Sequence, residues 1–204
     1  MPAIIRLDGK TFHTLTRKCH KPFDEHFIGA MSETALHLCS KIQGAKCAYT
    51  QSDEISVLLT DYDRLDTQGW FDYNVQKMVS ISAAIASIHF SHLWGSTAIF
   101  DSRAFNIPKE EITNYFVWRQ KDWIRNSVQM LARAHFSAKQ LLNKKQEDMH
   151  EMLHGKGINW IDLPEHLKNG WLISKNDQGV WDHSSPILTK QREIIEQMLI
   201  PMGE

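Results

Sequence analysis

Neither sign of charge is in excess in this chain: Lys and Arg number 23 against 24 Asp and Glu over 204 residues, a formal charge of -1. A strongly basic protein built to coat nucleic acid is thereby excluded, and contact with a polyanion is confined to a local patch. Cysteine is scarce as well. Cys19, Cys39 and Cys47 form neither a CxxC pair nor a framework for several disulfides, which points to free thiols in a reducing compartment. The eleven histidines include no HExxH, so a dedicated zinc site is not indicated. A Walker sequence is missing, which removes ordinary P-loop chemistry. No basic segment followed by a long apolar one opens the chain, and "VSISAAIASIHF" is too short to span a bilayer. The expectation is a cytoplasmic protein with no membrane partner.

What is present is an ordinary globular composition, 42% hydrophobic and 23% charged, enough for a real core in one domain with or without a helical appendage. Ala3–Leu7 reads as a buried strand closed by a turn at Asp8 and Gly9. Phe27, Met31, Ala35, Leu38 and Ile42 then recur at helical spacing over residues 23–42, with Pro22 at the entry and Gly44 as the stop. Ala45–Tyr49 and Ile55–Leu59 make an antiparallel hairpin with five residues between its arms. A second helix is expected from about Trp70 to Phe90, and one or two strands in "TAIFDSRAFNIP". Strand, helix, strand, strand, helix, strand is the ferredoxin-like order, an α/β (α+β) palm whose antiparallel sheet carries both helices on one face. Helices at Lys109–Phe136 and about Ser137–His154, a short hairpin and a final amphipathic helix follow. The domain reading is a catalytic palm over residues 1–136 and a helical and hairpin extension over 137–204.

In that topology the first and third strands are central neighbours, so Asp8 at the end of one and Asp53 and Glu54 before the other meet at one edge of the sheet. Each fragment alone also reads as an ordinary surface turn; together they make converging carboxylates. Converging carboxylates repel and resist burial unless a cation intervenes. Mg²⁺ suits them, because it takes hard oxygen ligands and keeps waters and phosphate oxygens. Asp8, Asp53 and the Gly9 carbonyl form a site for two ions, suited to phosphoryl transfer. The turn after Asp8, with Gly9, Lys10 and Thr11, offers N–H donors for a triphosphate. Phe12 is placed either on a base or in the core. Seven cations and one acid lie between residues 115 and 145. There Trp118, Arg119, Gln120, Asp122, Trp123 and Arg125 suit RNA, although Arg119 and Asp122 also fit as a helix-bracing pair.

"IIRLDGKTFH", "KPFD", "AYTQSDEISVLL", "FDSRAFNIP" and "YFVWRQKDWIRNS" occur in an order that resembles the tRNA-His guanylyltransferase family and its Thg1-like relatives, well over about residues 3–130 and loosely beyond. The resemblance implies a palm that extends RNA at its 5′ end, in the 3′–5′ direction. It implies activation of a 5′-monophosphate end with ATP, then attack by the 3′-hydroxyl of an incoming nucleoside triphosphate such as GTP. Catalysis is assigned to Asp8, Asp53 and Glu54, with Asp8, Gly9 and Asp53 as ligands of two Mg²⁺. Gly9, Lys10, Thr11, Phe12, His13, Lys21, Ser52 and Lys77 are implied to bind nucleotide. Trp118, Arg119, Gln120, Asp122, Arg125 and Asn126 fall to RNA, while Asp101 and Arg103 match a family "FDGR". The implied partners are tRNA, nucleoside triphosphates and further copies of the chain, as a tetramer or dimer.

Two departures stand out. Tyr73 and Asn74 replace an Arg pair that family members often carry, which weakens triphosphate handling because neutral donors cannot replace charge-assisted pairs. Ile124 stands where members that recognise the histidine tRNA have a His, so the chain resembles the branch that repairs 5′-truncated tRNAs. The first strand starts almost at Met1, a short opening expected of a viral or bacterial member or of a chain lacking a segment. The function expected is a Mg²⁺-dependent tRNA nucleotidyltransferase. A palm-type nucleotide cyclase and a non-catalytic RNA-binding descendant are the alternatives.

Overall fold

The computed structural model describes residues 2–62 and 66–201. Its elements in chain order are β1 (Ala3–Gly9), α1 (Phe12–Leu15), α2 (Glu25–Lys41), β2 (Ala45–Gln51), β3 (Glu54–Leu59), α3 (Val75–Trp94), β4 (Phe100–Asn106) and α4 (Ile112–His135). After these come α5 (Ala138–Leu141), α6 (Gln146–His154), α7 (Glu165–Asn169), β5 (Trp171–Lys175), β6 (Trp181–Ser184) and α8 (Glu193–Glu196). The strands form one antiparallel sheet in the order β4-β1-β3-β2-β5-β6. No helix among the described residues is long and apolar enough to cross a membrane.

Local chemistry explains the boundaries. Asp24 caps α2 by accepting the Phe27 N–H at 2.9 Å, and Asn74 caps α3 by accepting that of Lys77 at 3.1 Å. Gly95, with φ 78°, ends α3 in the left-handed conformation that glycine adopts without steric penalty. Three expectations need correction. The hairpin turn is two residues, Ser52 and Asp53, instead of five, because pairing runs out to Gln51 opposite Glu54. The second helix starts at Val75; Phe71, Asp72 and Tyr73 before it have φ above 50° and cannot continue a right-handed helix. The helix expected over 137–154 is two, α5 and α6, interrupted by Asn143 at φ 60°.

Alternation along the strands sends side chains to two cores. Ile5, Leu7, Ile55, Val57 and Leu59 meet Met31, Ala35 and Leu38 of α2 and Met78, Ala86 and Phe90 of α3. This is the face that both palm helices cover. On the other face Ile4, Cys47, Tyr49 and Leu58 meet Ile112, Tyr115 and Phe116 of α4, with Leu172, Leu188, Ile195 and Leu199 from the C-terminal part. Each fully buried aliphatic side chain contributes about 1.5–3 kcal/mol. The hairpin β5–β6 does more than pack against the palm: it continues the sheet beyond β2.

Candidate active site

Register builds the site. Asp8 lies opposite Glu54 on one side and Asp101 on the other. Residues directly opposite in antiparallel strands share a face about 5 Å apart, so the three carboxylates form a row across β4, β1 and β3. The fourth acid, Asp53, enters from the hairpin turn, whose backbone is pinned to the end of β1 by a 2.9 Å bond from Gly9 N–H to the Asp53 carbonyl. The row lies on the α4 face of the sheet, at its open end.

The acids do not share one environment. Burial, and then the nearby charges of Asp53, Asp101 and Glu54, push the Asp8 carboxyl above its ordinary range; Arg6 only partly opposes them. Glu54, 5% exposed, is by contrast fully engaged. Arg119 reaches down from α4 to donate Nε to Oε1 at 2.6 Å and Nη2 to Oε2 at 2.9 Å, and Arg6 donates to Oε2 as well. Arg119 also touches Asp122 at 3.3 Å, and Asp122 pairs with Arg125. Negative charge is therefore balanced at Glu54 and left in excess at Asp8.

Beside the turn opens a cleft of about 270 Å³, lined by His13, Lys21, Asp24, Ser52 and Asp53 on its polar side and by Phe23, Trp123 and Trp171 among its aromatic residues. His13, Lys21 and Ser52 thus come together as expected; Lys21 Nζ makes only a 3.4 Å contact with the Thr16 carbonyl, and Ser52 Oγ donates to Asp53 Oδ1 at 3.1 Å. The other expected ligands are placed differently, although Phe12 also borders this cleft. Phe12 is in the core, 2% exposed, against Phe27, Phe90 and Phe100, and so does not stack on a base. Its ring explains Gly9: a Cβ there would fall 2.4 Å from Phe12 Cγ. The N–H groups of Gly9 and Lys10 are bonded to the Asp53 and Ile99 carbonyls, so those two cannot cradle phosphate. Lys10 and Thr11 border a separate depression with residues 96–99. Lys77 stands apart from the row, because α3 runs toward the acidic edge and its first turn lies at the far end, on the opposite face of the sheet.

The helix expected to bind RNA is divided between its two sides. Arg119 and Gln120 are 4% and 1% exposed and cannot touch RNA as placed. Gln120 instead donates to the Asn169 and Pro186 carbonyls and accepts from Leu188 N–H, tying two C-terminal segments to α4. Asp122 is held between two arginines, and Asn126 is half-buried. Trp118 and Arg125 are exposed, in line with Lys121 and Arg133. Sequence reasoning missed Gln51 and Trp171 as cleft residues and placed Trp123 with RNA; no local pattern signals a strand-end glutamine as part of a binding wall.

A palm-like antiparallel sheet with two helices beneath it, a long helix above and a row of acids at one end is the framework of a nucleotidyl-transfer domain. The chain belongs to the tRNAHis guanylyltransferase (Thg1) family, whose family model matches residues 1–108. An uncharacterized protein of Acanthamoeba polyphaga mimivirus is 31% identical over 202 residues, spanning 84% of this chain and 69% of that protein. A probable tRNA(His) guanylyltransferase of Dictyostelium discoideum is 26% identical over 219 residues, 96% of this chain and 84% of the other. A bacterial Thg1-like protein solved in complex with ATP aligns with a TM-score of 0.94 at 44% identity, covering 98% of this chain and 90% of that one. A bacterial Thg1-like protein in complex with GTP gives 0.87 at 42%, covering 98% and 89%.

Proposed function

We propose that this chain is a magnesium-dependent nucleotidyltransferase that adds nucleotides to the 5′ end of a tRNA, with ATP and GTP as substrates. The observation that carries the reading is the Asp101–Asp8–Glu54 row with Asp53 beside it, opening next to the cleft. Family membership and the ATP and GTP complexes of bacterial Thg1-like proteins support it.

No three side chains of His, Cys, Asp or Glu form a ready-made metal cage among the described residues. The donor chemistry nonetheless fits magnesium: two carboxylates, the Gly9 carbonyl and oxygens from outside the protein, where Asp8 carries uncompensated charge. Magnesium held there would acidify an attacking hydroxyl and neutralise phosphate charge. Glu54 does a different job. Locked by two arginines, it fixes the first residue of β3 and thereby the turn that aims Asp53. His13, Lys21 and Ser52 contact the nucleotide from the cleft wall, with Lys21 free enough to swing toward phosphate. Trp118, Lys121, Arg125 and Arg133 give tRNA a basic stripe with one stacking surface.

The test supplies Mg²⁺, ATP and GTP with a 5′-monophosphate tRNA lacking its first nucleotide, or with no RNA. Growth at the 5′ end, lost in Asp8→Asn and Asp53→Asn, is the expected result. A cyclic nucleotide formed without RNA assigns the site to a cyclase instead, and binding with no product removes the enzymatic reading.

A further inference from the structure

Two buried polar atoms on residues that line the cleft have no hydrogen-bond partner: the acceptor Oε1 of Gln51 and the donor Nε1–H of Trp123. Gln51 is 7% exposed and Trp123 3%. An unpaired polar group shut away from water carries its full desolvation cost, so a fold that retains one needs a reason. The place supplies one. Gln51 ends β2 directly before the Ser52–Asp53 turn, and Trp123 descends from α4, so the two approach the cleft from its sheet wall and its helix wall. One lacks a donor and the other an acceptor. The base and ribose of a nucleoside offer both, whereas a triphosphate offers no donor.

We infer that the Gln51 amide and the Trp123 indole N–H hydrogen-bond the nucleoside part of the nucleotide in this cleft, and so set nucleotide affinity without taking part in phosphoryl transfer. The inference rests on reading the cleft as the nucleotide site. Both side chains are unpaired in the free protein because their partners arrive with the substrate. They are positioning residues: nothing places them on the reacting phosphorus.

The test uses the full chain and two changes, the near-isosteric Gln51→Met and the smaller Trp123→Phe, each of which removes the unpaired polar atom. Dissociation constants for ATP, GTP and inorganic tripolyphosphate are measured by calorimetry with Mg²⁺, with thermal melts of the nucleotide-free protein and steady-state rates of 5′ addition. Expected is a loss of about 5- to 10-fold in ATP or GTP affinity in each variant, with tripolyphosphate binding unchanged. The nucleotide KM rises and kcat holds; the melting temperature of the free protein stays level or increases in Gln51→Met, whereas Trp123→Phe also loses some stability to the volume it vacates. Unchanged nucleotide affinity in either variant overturns the inference; joined to a lowered melting temperature in Gln51→Met, it assigns that amide to the fold through internal water. An equal loss toward tripolyphosphate also overturns it. If the unaltered protein binds neither ATP nor GTP, the cleft assignment itself falls, a failure distinct from either of these.

Discussion

Asp8 and Glu54 face each other across two strands, yet one is electrostatically starved and the other saturated. The difference makes opposite predictions for their neighbourhoods. Asp8 holds its proton more tightly in the folded chain than in the unfolded one, because burial and then Asp53, Asp101 and Glu54 raise its pKa above 3.8. Any stability from this group is present below pH 3.8 and is lost as pH rises through the raised value. Without divalent ions, Asp8→Asn should therefore melt higher than the native chain at neutral pH. The gap should close as pH falls toward 3.8, in melts run with chelator. Added Mg²⁺ should stabilise the native chain and not the variant. At Glu54 it is loss of a partner that costs stability. Arg119→Ala leaves a buried carboxylate with Arg6 alone and is expected to cost about 3 kcal/mol. Arg125→Ala, at an exposed pair, should stay within about 0.5 kcal/mol; urea denaturation measures both. The acids were legible in the sequence because acids at strand ends meet by topology. The inward positions of Arg119 and Gln120 were not, since their partners lie 65 and 49 residues away.

At the level of elements, α4 has two occupations. One side is buried, with Ile112 and Phe116 packed on the sheet and Leu131 packed with Met149 and Leu153 of α6; the other displays Trp118, Lys121, Arg125 and Arg133 at three-, four- and eight-residue intervals, which keep them on one side of a helix. Reversing Lys121, Arg125 and Arg133 to Glu should weaken tRNA binding and make its salt dependence shallower by about two to three units of logarithmic slope. ATP affinity and melting temperature should hold, as filter binding across a salt series and parallel melts would register. The helical period of α2 and α4 was readable because apolar residues recur on one side. The break near Asn143 was not, since a single left-handed residue leaves the surrounding composition helical. The tight hairpin was misjudged because Thr50 and Gln51 look like turn residues while pairing as strand.

Across the whole molecule, the sheet is a shared wall between two cores, and the C-terminal part completes the second. Leu172, Leu188, Ile195 and Leu199 close over Ile4 and Leu58, Tyr49 Oη donates to the Asn169 carbonyl at 2.7 Å, and Gln120 shares that carbonyl and holds two more backbone groups, of Pro186 and Leu188. A chain ended after residue 136 should accordingly lose cooperative unfolding, which circular dichroism melts would reveal; a sharp transition near that of the full chain would make residues 1–136 an autonomous palm. The strand–helix order announced the palm, but not that β5 and β6 would extend its sheet, because pairing between β2 and β5 spans more than 120 residues of chain. All these scales converge on the claim that Asp8 and Asp53 share divalent ions at the sheet's open end. The direct measurement is anomalous scattering from a crystal grown with Mn²⁺ and ATP. The account predicts peaks within coordination distance of both carboxylates; peaks confined to other carboxylates, or none at this edge while ATP is bound, would contradict it.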